Sequence, residues 1–262
     1  MSEVKLRAVK GVPDFWDRVE AANERCLVLD YDGTLAPFRE NRMEARPLDG
    51  VVDVLERIRD AGRTHLAIMT GRPMAELIEL LGDLSIPLSG SQGSEFRMPD
   101  GTTQRHEPTA AQEERLTRAM NGARAVAPAE RVERKAASVA LHTRGIPEER
   151  AREMQDAVCA EWSSDADEYD LECRHFSGGV ELRLKGIDKG TALRTILRGR
   201  GEDALCVYIG DDETDEDAFE AILGRGVGIR VGPPGADTRA SGTLENTGAV
   251  REFLETWMGV TT

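Results

Sequence analysis

Short apolar runs that stop abruptly at polar residues alternate with helical patterns towards both ends of the chain. Cys26-Leu27-Val28-Leu29 runs straight into Asp30, His65-Leu66-Ala67-Ile68-Met69 into Thr70, and Leu205-Cys206-Val207-Tyr208-Ile209 into Gly210-Asp211. Apolar runs this short, bounded by turn chemistry, predict strands buried on both faces. Between the first two, Val51, Leu55 and Ile58 fall at i, i+4 and i+7 before Gly62. After the second, Pro73 opens a segment whose Leu77, Ile78 and Leu81 form a stripe stopped by Gly82, so both segments read as helices. This rhythm predicts an α/β fold, a doubly wound parallel sheet with helices on both faces.

The middle of the chain has another pattern. Residues 108–127 read as a polar helix, Val132 to Thr143 as a strand, 147–162 as a helix, and 170–184 as a broken or hairpin strand around Ser177-Gly178-Gly179. That order predicts a small α+β domain of residues 101–179 inserted into a core of residues 1–100 and 180–262. Hinges are expected near residues 98–104 and 177–180, where Pro99, Gly101, Gly178 and Gly179 lie. A helix at about 190–199 returns the chain to the sheet, and Val231 to Ala236 reads as a loop.

Composition narrows the class. With 262 residues and 40% hydrophobic content the chain can bury a real core. The 34 basic and 48 acidic residues leave a net charge of −14, which argues against a nucleic-acid or anionic-membrane surface. No run approaches the ~18 apolar residues of a membrane span, and Met1 to Val12 lacks the apolar run of a signal peptide, so a cytosolic address is expected. Cys26 and Cys206 sit in apolar runs and are expected as reduced core residues, while nothing in the spacing supports a bond between Cys159 and Cys173. Lys5, Lys10, Lys135, Lys185 and Lys189 are the only lysines, a bias that fits either a high-salt cytoplasm or codon usage.

Four elements carry candidate chemistry. Asp30-Tyr31-Asp32-Gly33 sets two carboxylates at i and i+2 off a strand end, where open α/β sheets bind ligands. An Asx turn would use the same residues, and so would a nucleophilic carboxylate beside a general acid/base around a divalent ion. Further on, the helix dipole accounts for Glu213, Glu216 and Asp217, but Asp211 and Asp212 lie in the turn itself. Carboxylates crowded there repel one another unless a cation neutralises them, and an oxygen-only donor set suits Mg²⁺. His65, His106, His142 and His175 show no pair spacing for zinc. Thr70-Gly71-Arg72 is either a helix cap or an anion contact, and Lys189 at a helix start opposes the dipole unless an anion is present.

In this order on one α/β pattern, the four elements resemble the motif set of the haloacid-dehalogenase-like phosphohydrolases, over residues 22–100 and 180–240. The resemblance implies a Rossmann-like hydrolase core in which Asp30 attacks the phosphoryl group and Asp32 is the general acid/base. Thr70 and Lys189 would hold the phosphoryl oxygens, with Gly71 and Arg72 contacting substrate. Mg²⁺ would be bound by the Asp30 carboxylate, the Asp32 carbonyl and Asp211, with Asp212 and Asp215 acting at longer range, for instance through water.

A finer resemblance is to the trehalose-6-phosphate phosphatases. It rests on Leu29 to Pro37, Gly93 to Arg97, Glu133-Arg134-Lys135 leading into Ser138 to Arg144, Val180 to Arg183, Lys189-Gly190, and Gly210 to Glu216. It implies that the insert is a cap whose Glu133, Lys135 and Glu181, together with Glu95, bind glucosyl hydroxyls. Glu133 and Lys135, two apart on a strand, would equally make a solvated face. Gln92 and Leu184 stand where such proteins usually carry histidine and proline, and His142 reads as structural. The expectation is a monomeric, cytosolic, Mg²⁺-dependent phosphatase acting on trehalose 6-phosphate. The alternatives are a phosphatase for glucosyl- or mannosyl-3-phosphoglycerate or sucrose 6-phosphate, a phosphotransferase, or an inactive regulatory module.

Overall fold

In a computed structural model, residues 9–233 and 237–262 are described, and the chain divides into two units, Met1–Thr103 with Lys189–Thr262, and Gln104–Asp188. The first unit begins with α1 (Phe15–Ala21), β1 (Arg25–Asp30), α2 (Val51–Ala61), β2 (His65–Met69), α3 (Met74–Leu81), β3 (Leu88–Gly90) and β4 (Glu95–Arg97), and β5 (Thr103–Arg105) straddles the division. The inserted unit holds α4 (Ala110–Val126), β6 (Val132–Lys135), β7 (Ser138–His142), α5 (Glu148–Ser163), β8 (Leu171–Phe176) and β9 (Gly179–Leu184). The first unit then resumes with α6 (Lys189–Ile196), β10 (Leu205–Gly210), α7 (Glu216–Ala221), β11 (Gly226–Val231), β12 (Gly242–Leu244) and α8 (Thr247–Thr261).

The continuous apolar run of β1 follows from burial on both sides. Leu27 and Leu29 join one core with residues of α1, α2, α3 and α8, while Cys26 and Val28 join another with residues of α6 and α7. The strands run in the order β12-β11-β10-β1-β2-β3-β4-β5, parallel from β12 through β3, with β4 antiparallel to β3. The chain leaves β1 towards β2 on one side and returns through β10 on the other. That makes the carboxyl end of β1 a topological switch point, where such sheets open a crevice. Register completes the placement: Asp30 lies opposite Met69 and Leu29 opposite Ile209, so Asp30, Thr70 and Asp211 emerge from three neighbouring strand ends. Phe15, Trp16, Phe253 and Trp257, from α1 and α8, cluster in the core that holds Leu27 and Leu29, with ring centroids 4.9–6.5 Å apart.

The inserted unit is a four-stranded antiparallel sheet in the order β6-β7-β9-β8. One face packs on α4 and α5 through Leu116, Trp162, Val139, Leu141, Val180 and Leu182. Thr109 and Gln112 cap α4 reciprocally, which fixes where that polar helix starts. Three expectations change here. The single strand over 132–143 is a hairpin, β6 and β7, because Lys135 pairs with Ser138 across a two-residue turn. β9 belongs to the insert rather than to the core, since it pairs with both β7 and β8. The second junction moves from 177–180 to Asp188/Lys189, since Ser177-Gly178 is the turn joining β8 to β9, with Gly178 at φ 92°, whereas the first division, Thr103/Gln104, falls within the expected 98–104. Cys159 and Cys173 are disulfide-bonded, and Cys26 and Cys206 are free and buried as expected. Among the described residues no helix is long and apolar enough to cross a membrane. Much of Met1 to Val12 and of the Val231 to Ala236 loop lies outside the described residues, though Val231 itself ends β11.

Candidate active site

Asp30 ends β1 with only 3% of its surface exposed. Its Oδ1 accepts from the Lys189 ammonium at 2.8 Å, and the same ammonium reaches Asp215 Oδ1 at 2.6 Å. Asp215 is the fully buried hub of the cluster. Its Oδ1 also accepts from the Tyr208 hydroxyl at 2.5 Å, and its Oδ2 from the backbone N–H groups of Asp211 and Asp212, both at 2.8 Å. Asp212 turns its carboxylate to the Glu213 N–H at 2.7 Å, so Asp212 and Asp215 form a reciprocal cap of the turn before α7. Two glycines let these groups crowd together. A Cβ at Gly33 would stand 2.1 Å from the Asp211 carboxylate, and one at Gly210 would stand 2.3 Å from that of Asp215.

Charge in this cluster is out of balance. Carboxylate oxygens of Asp30, Asp211 and Asp215 lie within 4.8 Å of one another, against one lysine. Burial, opposed by Lys189 and assisted by Asp215, pushes the Asp30 carboxyl up to about 8. Burial, with Asp30, Asp215 and Asp212 adding repulsion, pushes Asp211 up to about 10. Burial by itself would weaken the proton on Lys189, but Asp215 and Asp30 outweigh it and hold the ammonium above its ordinary value. Asp211 Oδ1 is buried with no hydrogen-bond partner. An orphaned carboxylate oxygen among crowded carboxylates is the donor set of a hard divalent cation.

The turn after β2 adds the next pieces. Arg72 forks onto Asp32, Nε to Oδ2 at 2.6 Å and Nη2 to Oδ1 at 2.7 Å, with its guanidinium 5.6 Å from the Tyr31 ring centre. Thr70 is buried, and its hydroxyl accepts from the Arg72 N–H at 3.2 Å. It is not the cap of α3, whose first turn starts from Pro73. Gly71 packs under the side chain of Gln92. Glu95 is buried too, and its Oε2 accepts from the Ser91 hydroxyl at 2.7 Å and from the Met74 N–H at 3.1 Å, at the N-terminus of α3.

The other candidates share one face of the insert's sheet. Glu133 lies opposite Ala140, which lies opposite Glu181, and Lys135 is two residues from Glu133. The Lys135 ammonium and the Ser138 hydroxyl donate to Glu181 Oε1 at 2.9 and 2.6 Å. Burial alone would raise the Glu181 carboxyl, but the Lys135 charge and these two hydrogen bonds hold it below the usual carboxylate range. Glu133 Oε2 lies 2.8 Å from His142 Nε2.

Asp30, Lys189 and Asp211 thus gather at one strand-end cluster, Asp32 and Arg72 pair beside it in sequence, and Glu133, Lys135 and Glu181 share the insert's polar face. Asp212 is occupied in capping its turn, and the cluster position expected for it is held by Asp215. Asp215 reaches the cluster through the Lys189 ammonium and the amides of Asp211 and Asp212, contacts that its place in the sequence does not show. Tyr208 went unnoticed inside an apolar run, where its hydroxyl is the one polar group.

The trehalose-phosphatase family model matches residues 28–241. A trehalose-phosphate phosphatase of Mycolicibacterium paratuberculosis is 34% identical over 90% of this chain and 62% of its own length. A probable trehalose-phosphate phosphatase of Sinorhizobium fredii is 31% identical over 87% of this chain and 85% of its own length. The C-terminal domain of the C. albicans trehalose-6-phosphate phosphatase superimposes with a TM-score of 0.85 at 21% identity, covering 98% of this chain and 99% of that one, a likeness of fold. The chain spans about three-fifths of the length of the mycobacterial relatives it matches. With four-fifths of its length inside the family match, the chain belongs to the trehalose-phosphatase family.

Proposed function

We propose that this chain hydrolyses trehalose 6-phosphate to trehalose and phosphate through an aspartyl-phosphate on Asp30. The observation that carries the reading is the Asp30–Lys189–Asp215 cluster with Asp211 at the switch point of the sheet. A carboxylate oxygen of Asp30 attacks phosphorus, and the bond to the sugar oxygen breaks. Asp32 gives that oxygen a proton, then takes one from the water that attacks the aspartyl-phosphate, so two easier displacements replace one difficult step. Both Asp32 oxygens are held by Arg72, so Asp32 takes up its proton as Arg72 exchanges to the phosphoryl oxygens. Lys189 neutralises developing negative charge, and Thr70 donates its hydroxyl to the phosphoryl group.

The orphaned Asp211 oxygen and the crowded carboxylates fit Mg²⁺, held by Asp30, Asp211 and the Asp32 carbonyl, with Asp215 fixing their positions. Bound there, Mg²⁺ supplies the positive charge that lets a phosphate dianion approach a carboxylate. Glu133, Lys135 and Glu181 recognise glucosyl hydroxyls, since paired charged side chains suit vicinal hydroxyls.

Phosphate release with Mg²⁺ and with EDTA tests this on a panel of trehalose 6-phosphate, sucrose 6-phosphate, glucose 6-phosphate and both glycosyl-3-phosphoglycerates, with Asp30→Asn as blank. Preference for trehalose 6-phosphate, lost in the blank and in EDTA, is expected. Preference for another member would retain the chemistry and replace the substrate.

A further inference from the structure

The loop after β3 holds a group that the proposed chemistry does not use. Ser91 and Gln92 both adopt left-handed backbone, at φ 49° and 58°, a region non-glycine residues occupy only when their surroundings enforce it. The enforcement comes from the turn after β2: the Ser91 N–H donates to the Arg72 carbonyl at 2.7 Å and the Gln92 N–H to the Thr70 carbonyl at 3.0 Å. The side chain of Gln92 is consequently laid against Gly71. Its Nε2 lies 2.7 Å from where a Cβ of residue 71 would stand, so a side chain there would displace it. Gln92 is only 6% exposed, and its Oε1 is buried without a hydrogen-bond partner.

A buried amide oxygen without a partner is unfavourable and calls for a reason. Strain and an unmet acceptor at one residue, beside Thr70-Gly71-Arg72, belong to a binding role rather than to folding. The missing partner must be a donor. A phosphate dianion has no proton to give, Lys189 already serves two carboxylates, and the chain's own buried donors without a hydrogen-bond partner, among them Arg72 Nη1 and the Ser89 and Ser94 hydroxyls, do not bond Gln92 Oε1. A sugar hydroxyl next to the esterified position has the required chemistry, because it donates and accepts.

We propose that Gln92 is a specificity residue whose amide oxygen accepts a hydrogen bond from a sugar hydroxyl adjacent to the phosphate, an inference that rests on the sugar-phosphate reading above. The structural and binding roles predict opposite signs in stability. If the amide serves substrate alone, Gln92→Leu removes an unmet acceptor and leaves the melting temperature equal or higher.

The test is steady-state phosphate release by wild type, Gln92→Leu and Gln92→Gly, on trehalose 6-phosphate and on p-nitrophenyl phosphate, which has no hydroxyl to offer. Glycine suits left-handed backbone and serves if the leucine variant does not fold. The expected result is a fall in kcat/KM of about tenfold or more on the sugar phosphate, mainly through KM, with p-nitrophenyl phosphate within about twofold of wild type. Equal loss on both substrates, a lowered melting temperature with loss on both, or no change on either overturns the inference and leaves the phosphatase reading intact. A wild type that cleaves p-nitrophenyl phosphate but no sugar phosphate breaks the functional reading first and this inference with it.

Discussion

Each unit buries one lysine against carboxylate, and the two arrangements differ in their arithmetic of charge. Lys189 faces Asp30 and Asp215, with Asp211 within reach of both, so negative charge is in excess and the Asp30 and Asp211 carboxyls are pushed up. Lys135 pairs with Glu181, with Ser138 completing the hydrogen bonding, and the carboxyl is held down. On the proposed function, the unbalanced cluster is completed by a cation and then reacts with phosphate. A balanced one presents fixed hydrogen-bonding groups and has no chemistry to do. On that reading, catalysis and recognition separate by charge count as well as by unit.

The strongest test of this contrast removes the nucleophile. Asp30→Asn keeps the side-chain shape and lifts one negative charge from the crowded cluster. Phosphate release is expected to fall on the order of 10⁴-fold or more, while the melting temperature in EDTA stays level or rises. A variant that retained a tenth of the activity would show that Asp30 is not the attacking group.

The opposite behaviour is expected of the balanced pair. Lys135→Met leaves the buried Glu181 unpaired and is expected to destabilise the chain by about 3–5 kcal/mol, while Lys135→Met with Glu181→Leu recovers most of it. In the double variant, turnover of p-nitrophenyl phosphate should persist and KM for trehalose 6-phosphate should rise. Loss on both substrates would give Lys135 a part in phosphoryl chemistry and erase the division between the clusters.

The parts of this contrast legible in the sequence are those where backbone and chemistry coincide. An apolar strand ending at Asp30 or just before Asp211 announces a buried strand and a candidate site together, although an Asx turn would use the same residues. The resemblance leaves Asp215 at longer range, and only the folded turn reveals a carboxylate reaching back to two amides and to Lys189. The hairpin at Lys135 and Ser138 was concealed because Ala136-Ala137 carries no glycine, asparagine or proline to mark the reversal. Assigning β9 to the insert needed its pairing with β7 and β8, a long-range fact that local pattern does not contain.

Acid and base should stress the two clusters in opposite directions. Asp30 and Asp211 are raised from 3.8 to about 8 and about 10, so the folded chain without metal retains protons that the unfolded chain has released. Their contribution is complete below about pH 4 and is lost as pH rises through the folded values. Glu181 is held below 4.5, so its contribution is present above that value and is lost as pH falls through the lower folded one. Melting temperatures in EDTA should fall towards both ends of the scale. Asp211→Asn should flatten the alkaline side and Glu181→Gln the acid side. An alkaline loss unchanged in Asp211→Asn would mean that the carboxylate cluster is not its source.

The smallest effect is expected at Glu95, which belongs to the same unit as Asp30 although the family resemblance groups it with the sugar-binding residues. Its Oε2 gathers the Ser91 hydroxyl and the Met74 N–H, tying the strained loop after β3 to the start of α3, and thereby to the turn carrying Thr70 and Arg72. Glu95→Gln replaces a charge-assisted acceptor with a neutral one and is expected to cost about 1–2 kcal/mol of stability. Because it works through the phosphate turn, kcat should decline to the same degree on trehalose 6-phosphate and on p-nitrophenyl phosphate. That signature is the reverse of the one expected for Gln92, its neighbour three residues earlier. A rise in KM confined to the sugar phosphate would instead make Glu95 a sugar ligand and extend recognition into the unit that carries the nucleophile.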